Sequence, residues 1–215
     1  MPRHDQSRYQ VRLDWGIDGL GRVAQADVVI VVDVLRFSST VSRRVAGGET
    51  VPLDASAHAV SINGAAIAAA ACEPGAVVML GCLRNASAVA AAVLDEQRRR
   101  GARTSIAVIA AGELDSREPG APLRLAVEDH LGAGAIVDAL AALGIDHSSP
   151  EAAVACEAFR GLRGAVRHLL TASGSGQELI EAGLRDDVLA AAAIDADPVA
   201  VVLVDGVLRP VPRQE

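Results

Sequence analysis

The sequence predicts an α/β protein, three layers α/β/α around a mostly parallel sheet, with a C-terminal β-hairpin. Three observations predict it. Val28 to Val32 is an unbroken β-branched run of strand length, the pattern of a strand buried on both faces of a parallel sheet. Further apolar runs alternate with Ala-rich stretches of helical length as far as Leu143, the order that βα units produce. Val199 to Val204 and Val207 to Val211 flank Asp205-Gly206, a dipeptide suited to a tight hairpin turn.

Taken in order, Tyr9 to Trp15 alternates apolar and polar residues and predicts a short edge strand, followed by a turn-rich connection over Gly16 to Gly21. After the central strand, Ser38, Ser39 and Thr40 are potential N-caps for a helix from Val41, closed by Gly47 and Gly48. Thr50 to Leu53 is a second short strand. Asn63-Gly64 then predicts a positive-φ turn ahead of an Ala-rich helix. Val77 to Leu80 is a third buried strand, Asn85 to Arg100 a helix ended by Gly101, and Thr104 to Ala110 a fourth strand. The stretch from Leu114 to Leu125 is long for an α/β connection and predicts a mobile lid. Val127 to Leu143 is helical, and Gly132 and Gly134 inside it predict another backbone packed close against it. A linker from Asp146 to Pro150 leads to a long helix, Glu151 to Leu170, whose Arg160, Arg163, Arg167 and His168 form a solvated face. Two short helices, Gln177 to Ala182 and Asp186 to Ala193, precede the hairpin. No domain-scale linker interrupts the chain, so a single domain over residues 1–215 is expected.

Composition narrows the chemistry. The hydrophobic fraction is 51% with only 2% aromatic residues, so the core is built from Val, Leu, Ile and Ala. The net charge of −7 argues against nucleic acid or an anionic membrane as the main partner. All 20 basic residues are arginine, which excludes a Schiff-base lysine, a pyridoxal-phosphate anchor and a P-loop lysine. Cys72, Cys82 and Cys156 form no C-x-x-C pair, as expected of reduced, mostly packed thiols in a cytoplasmic protein. The N-terminal stretch has no apolar core, so no signal peptide is expected.

The chemistry gathers at predicted strand ends. Asp33 ends the central run, followed by Arg36, Ser39 and Thr40; Glu113 follows the fourth strand; Glu128 and Asp129 open the next helix. In open α/β sheets that edge is where ligands bind. Leu35-Arg36-x-x-Ser39-x-Val41 recurs as Leu83-Arg84-x-x-Ser87-x-Val89, as if two similar strand-turn-helix halves faced one pocket. An acyl hydrolase using Ser39 or Cys82 lacks both a G-x-S-x-G elbow and a neighbouring histidine.

Several stretches together resemble the 2-phosphosulfolactate phosphatase family, the ComB-like proteins. They are VVIVVDVLRFSSTV, the Asn63-Gly64 pair, GCLRNASAVA from Gly81, AGE at Ala111 to Glu113, EDHLGAGAIVDAL from Glu128, and GQELIEAGLRDDVLAAAAID before the hairpin. The resemblance implies a magnesium-dependent hydrolase that removes phosphate from a small phosphorylated anion such as a three-carbon sulfonate. On that basis Asp33 and Glu113 would hold Mg²⁺, and Glu128 or Asp129 would complete the site or act as base. Arg36 would grip the phosphate or sulfonate, and Ser39, Thr40, Asn63, Gly64, Asn85 and Ser87 would supply neutral donors. The chain departs from the family in a shortened segment, Ala55 to Val60, and in Ile62 and Ala65, where hydroxyl residues are usual. A non-catalytic anion-binding homologue is the alternative these departures support. The Ala-rich helices leave room for a homodimer.

Overall fold

The computed structural model describes residues 4–55, 57, 63–72, 75–116 and 121–212. Four strands run parallel: β1 (Val11–Trp15), β2 (Val28–Val32), β4 (Val77–Gly81) and β5 (Ile106–Ala110). With β3 (Val51–Pro52), β8 (Val201–Val204) and β9 (Val207–Pro210) they form a seven-stranded sheet, ordered β1-β5-β2-β4-β8-β9-β3. β8 is antiparallel to β4 and pairs with β9 as a hairpin, whose turn residues Asp205 and Gly206 have φ of 51° and 74°. A separate two-stranded ribbon joins β6 (Glu113–Leu114) to β7 (Leu123–Arg124). The expected mostly parallel sheet and C-terminal hairpin are both present.

The β-branched run is central because both of its faces are covered. Val28, Ile30 and Val32 enter one core with Val89, Leu131, Ile136, Leu140 and Phe159. Val29 and Val31 enter the other with Phe37, Val41, Val45, Ile67 and Leu208. This is the two-residue period of a strand with helices on either side. The helices α1 (Gly16–Arg22), α2 (Phe37–Ala46) and α3 (Gly64–Ala70) belong to the second face. The helices α4 (Ala86–Arg100) and α5 (Val127–Ala142) belong to the first, together with α6 (Pro150–Leu162) and α7 (Val166–Ala172). Two further helices, α8 (Gly174–Glu181) and α9 (Arg185–Ala191), lead to the hairpin. The chain therefore leaves β2 toward one face and its neighbours β4 and β5 toward the other. Diverging exits of this kind open a crevice at the carboxyl edge of the sheet.

Four sequence expectations are corrected. Gly16 to Gly21 is the helix α1 rather than a turn; Gly16 makes the bend at φ 66°, and Gly19 is needed because a Cβ there would lie 2.9 Å from Asp14 Oδ1. The helix expected from Val41 begins at Phe37, so Ser38, Ser39 and Thr40 lie inside it and none caps it. Asn63-Gly64 is not a positive-φ turn, since Asn63 is the N-cap of α3 and Gly64 its first residue. The helix expected over Glu151 to Leu170 is broken by a 3₁₀ turn, Arg163–Ala165, with Gly164 at its centre and Gly161 just before it. By contrast Gly134 fulfils its expectation, for a Cβ there would lie 2.1 Å from Ala155 O on α6. Residues 117–120 of the expected lid, and Ser61 and Ile62 before Asn63, lie outside the described residues; so does most of the shortened segment.

Candidate active site

The carboxyl ends of β2 and β5 are neighbours, with Val32 opposite Ala110, and the turns that follow carry the polar groups. Asp129, in the first turn of α5, joins them. Its Oδ1 accepts the Val34 N–H at 2.7 Å and its Oδ2 the Gly112 N–H at 2.9 Å, so one carboxylate clamps both strand exits. Burial, then the charges of Asp33 and Glu128, raise the Asp129 carboxyl well above the usual range.

Asp33 is buried beside it. Its Oδ1 accepts the Phe37 N–H at 3.2 Å and its backbone carbonyl the Ser38 N–H at 2.8 Å. That explains the early start of α2, because Asp33 satisfies its first donors from outside the helix. The Ser38 hydroxyl accepts the Asp33 N–H and is spent within the turn. Gly64 lies against the Asp33 carboxylate, where a Cβ would come within 2.4 Å of Oδ2. Contact rather than backbone conformation therefore requires glycine at this position. Asn63 donates from Nδ2 to Gly112 O at 2.6 Å, tying the α3 start to the β5 exit, and its Oδ1 is buried without a partner.

Glu128 is 2% exposed and stands between these groups. Its Oε1 accepts a hydrogen bond from the Ser175 hydroxyl on α8, and its Oε2 is buried without a partner. Glu113, on the ribbon just beyond β5, pairs with Arg124. Burial and the charge of Glu128 raise its carboxyl, with Arg124 opposing them. Two residues past Glu128, His130 stacks on Trp15 at 5.9 Å, and burial lowers its basicity. The described buried side-chain atoms without partners belong to Ser39, Asn63, Glu128 and His130. Buried polar atoms are rarely left unpaired, and Asn63 and Glu128 belong to the residues gathered at the β2 and β5 exits.

The other expected site residues divide. Arg36 does not pair with Asp33; its Nη1 stands 3.4 Å from Asp187 on α9, as does Nη1 of Arg43. Both contacts are longer than a good charge-assisted bond, so Arg36 is held loosely and remains open to an anion. Thr40 is exposed and shares a hollow of about 80 Å³ with Arg36, Phe37 and Arg44. The Ser39 hydroxyl is buried near Cys82, whose thiol burial pushes up to about 11. Such a thiol is inert as a nucleophile.

The Leu-Arg-x-x-Ser repeat does not face one pocket. Arg84 is locked to buried Asp197 at 2.6 Å, Asn85 is fully buried with its amide spent on Cys82 N–H and Leu80 O, and exposed Ser87 bonds Asp195. The two copies follow adjacent strands, but α2 and α4 go to opposite faces, and Arg36 and Arg84 meet different partners, Asp187 and Asp197.

Hard carboxylate oxygens, like charges crowded at Asp33, Glu128 and Asp129, and the unpaired Glu128 Oε2 suit a divalent cation. Among the described residues no group of three or more His, Cys, Asp or Glu side chains is already drawn together at ligand spacing. Sequence reading missed Ser175, Asp187 and the Trp15–His130 stack, for none of these contacts is local in sequence.

A doubly wound α/β sheet with buried carboxylates at its carboxyl edge belongs to the class of folds that bind small ligands in that crevice. The model of the 2-phosphosulpholactate phosphatase family matches residues 54–206, and the chain belongs to that family of phosphoric monoester hydrolases. The matched span contains Asn63, Gly64, Glu113, Glu128 and Ser175, whereas Asp33 and Arg36 precede it. No curated protein matches the chain.

Proposed function

We propose that the chain is a magnesium-dependent phosphatase of a small phosphorylated hydroxy acid resembling 2-phosphosulfolactate, acting at the carboxyl edge of β2 and β5. The observation that supports this reading is the buried group of Asp33, Asp129 and Glu128, with one carboxylate oxygen unpaired; Arg36, three residues after Asp33, is loosely held. Hydrolysis of a phosphate monoester requires neutralisation of the phosphoryl oxygens and a positioned attacking group. Asp33 and Glu113 would hold Mg²⁺, which supplies charge neutralisation when bound. Arg36 would orient the substrate anion through its planar fork, a charge-assisted bond being worth ~1.5–3 kcal/mol. Thr40 and the Asn63-Gly64 start of α3 would contribute neutral contacts, while Asn85 and Ser87 are left out because their side chains are engaged elsewhere, and Ser39 because its hydroxyl is buried near Cys82. Glu128, whose Oε2 has no partner, would take a proton from the attacking water or complete the metal's shell.

The test is phosphate release from phosphosulfolactate and a panel of phosphorylated hydroxy acids, with Mg²⁺ and with chelator. Release that requires metal is expected. Ligand-induced stabilisation without release from any panel member would instead identify a non-catalytic anion binder.

A further inference from the structure

Ser175 sits at the second position of α8, yet it does not cap its own helix. Ser173 does that, accepting the Gly176 N–H at 3.1 Å and donating to Leu170 O at 3.0 Å. The Ser175 hydroxyl instead goes to a carboxylate 47 residues earlier in the chain, Glu128 Oε1. Both partners are buried, at 8% and 2% exposure. The tip of α8 cannot slide, since a Cβ on Gly176 would lie 1.8 Å from Leu170 O, and Leu170 is fully buried in the first core. The guanidinium of Arg124, the partner of Glu113, lies 3.4 Å from where a Gly174 Cβ would stand. The hydroxyl is thus delivered to Glu128 by a packed helix end.

We propose that Ser175 is the positioning residue of the site: by occupying Oε1 it fixes the Glu128 carboxylate so that only Oε2 is left to serve the reaction. The Glu128 charge is near enough to raise the carboxyls of both Asp129 and Glu113. The inference rests on the phosphatase reading for its effect on turnover, but not for the hydrogen bond itself.

Three variants test it. Ser175→Ala should lower kcat about 10- to 100-fold and raise the Mg²⁺ concentration for half-maximal release, the usual cost of losing a group that orients a ligand or base. The KM for substrate should change little. Ser175→Thr, which keeps the hydroxyl, should recover most of the loss. Ser173→Ala removes the helix cap and should lower Tm without changing turnover or the Mg²⁺ requirement. The second readout needs no activity: the carbon-13 carboxyl resonance of Glu128, recorded without metal, should move in Ser175→Ala and stay in place in Ser173→Ala. A Ser175→Ala enzyme within twofold of wild type, an unmoved Glu128 resonance, or an equal loss in Ser173→Ala would overturn the proposal. Failure of the wild-type chain to release phosphate would sink the phosphatase reading alone, since the resonance still decides the role of Ser175.

Discussion

Glu113 shows how a carboxylate at this edge trades stability for placement. Burial and the charge of Glu128 raise its folded pKa, and Arg124 offsets only part of that. Its unfolded value is about 4.3. A carboxyl raised on folding favours the folded state fully below that value, and the contribution is lost as pH rises through the folded pKa. Glu113→Gln mimics the protonated form, so its unfolding midpoint should gain on wild type as pH rises from 5 to 8. A difference that does not change with pH would show that Glu113 is not held against its charge. Asp33, Glu113 and Glu128 were legible in the sequence because apolar runs ended in them or a helix began with them. Ser175 was not, because Ser-Gly-Ser-Gly specifies only a helix start and its partner comes from α5. Asn63-Gly64 misled for the same reason: the local turn preference yields to the contact of Gly64 with Asp33 Oδ2, which no sequence window contains.

At the scale of elements, α5 is the spine of the site. Its first turn carries Glu128 and Asp129, and its middle is pressed against α6 and the strand ends through glycines. Gly134 sets the distance to α6, because a methyl group there would meet the backbone carbonyl of Ala155 at 2.1 Å. Overpacking against backbone cannot be relieved by a rotamer change. Gly134→Ala is therefore expected to destabilise the chain by about 1–3 kcal/mol, measured by denaturant unfolding. An unchanged midpoint would mean that α6 is free to move away. The length and the glycine pair of α5 were readable from periodicity and propensity. The start of α2 was not, because Asp33 satisfies its first donors from outside the helix, and short-range capping rules look only at adjacent hydroxyls.

At the scale of the molecule, the order of strands matters more than any single motif. The sequence announces which segments are strands, since β-branched runs buried on both faces have few other solutions. It does not announce that β5 returns between β1 and β2, which lets Asp129 bridge the exits of β2 and β5. Nor does it show that the repeated Leu-Arg-x-x-Ser strings are sent to opposite faces of the sheet. Among the described residues no helix is long and apolar enough to cross a membrane. The crevice at β2 and β5 is proposed to be a metal-assisted phosphatase site built around Asp33. The most direct measurement is kcat/KM for phosphate release in Mg²⁺ by wild type and Asp33→Asn, with folding of the variant verified by its unfolding midpoint. A folded Asp33→Asn protein that has lost release by at least about 10²-fold is the predicted result, of the size expected when a group stabilising transition-state charge is removed. Release within a fewfold of wild type would contradict the account and place the chemistry away from this edge.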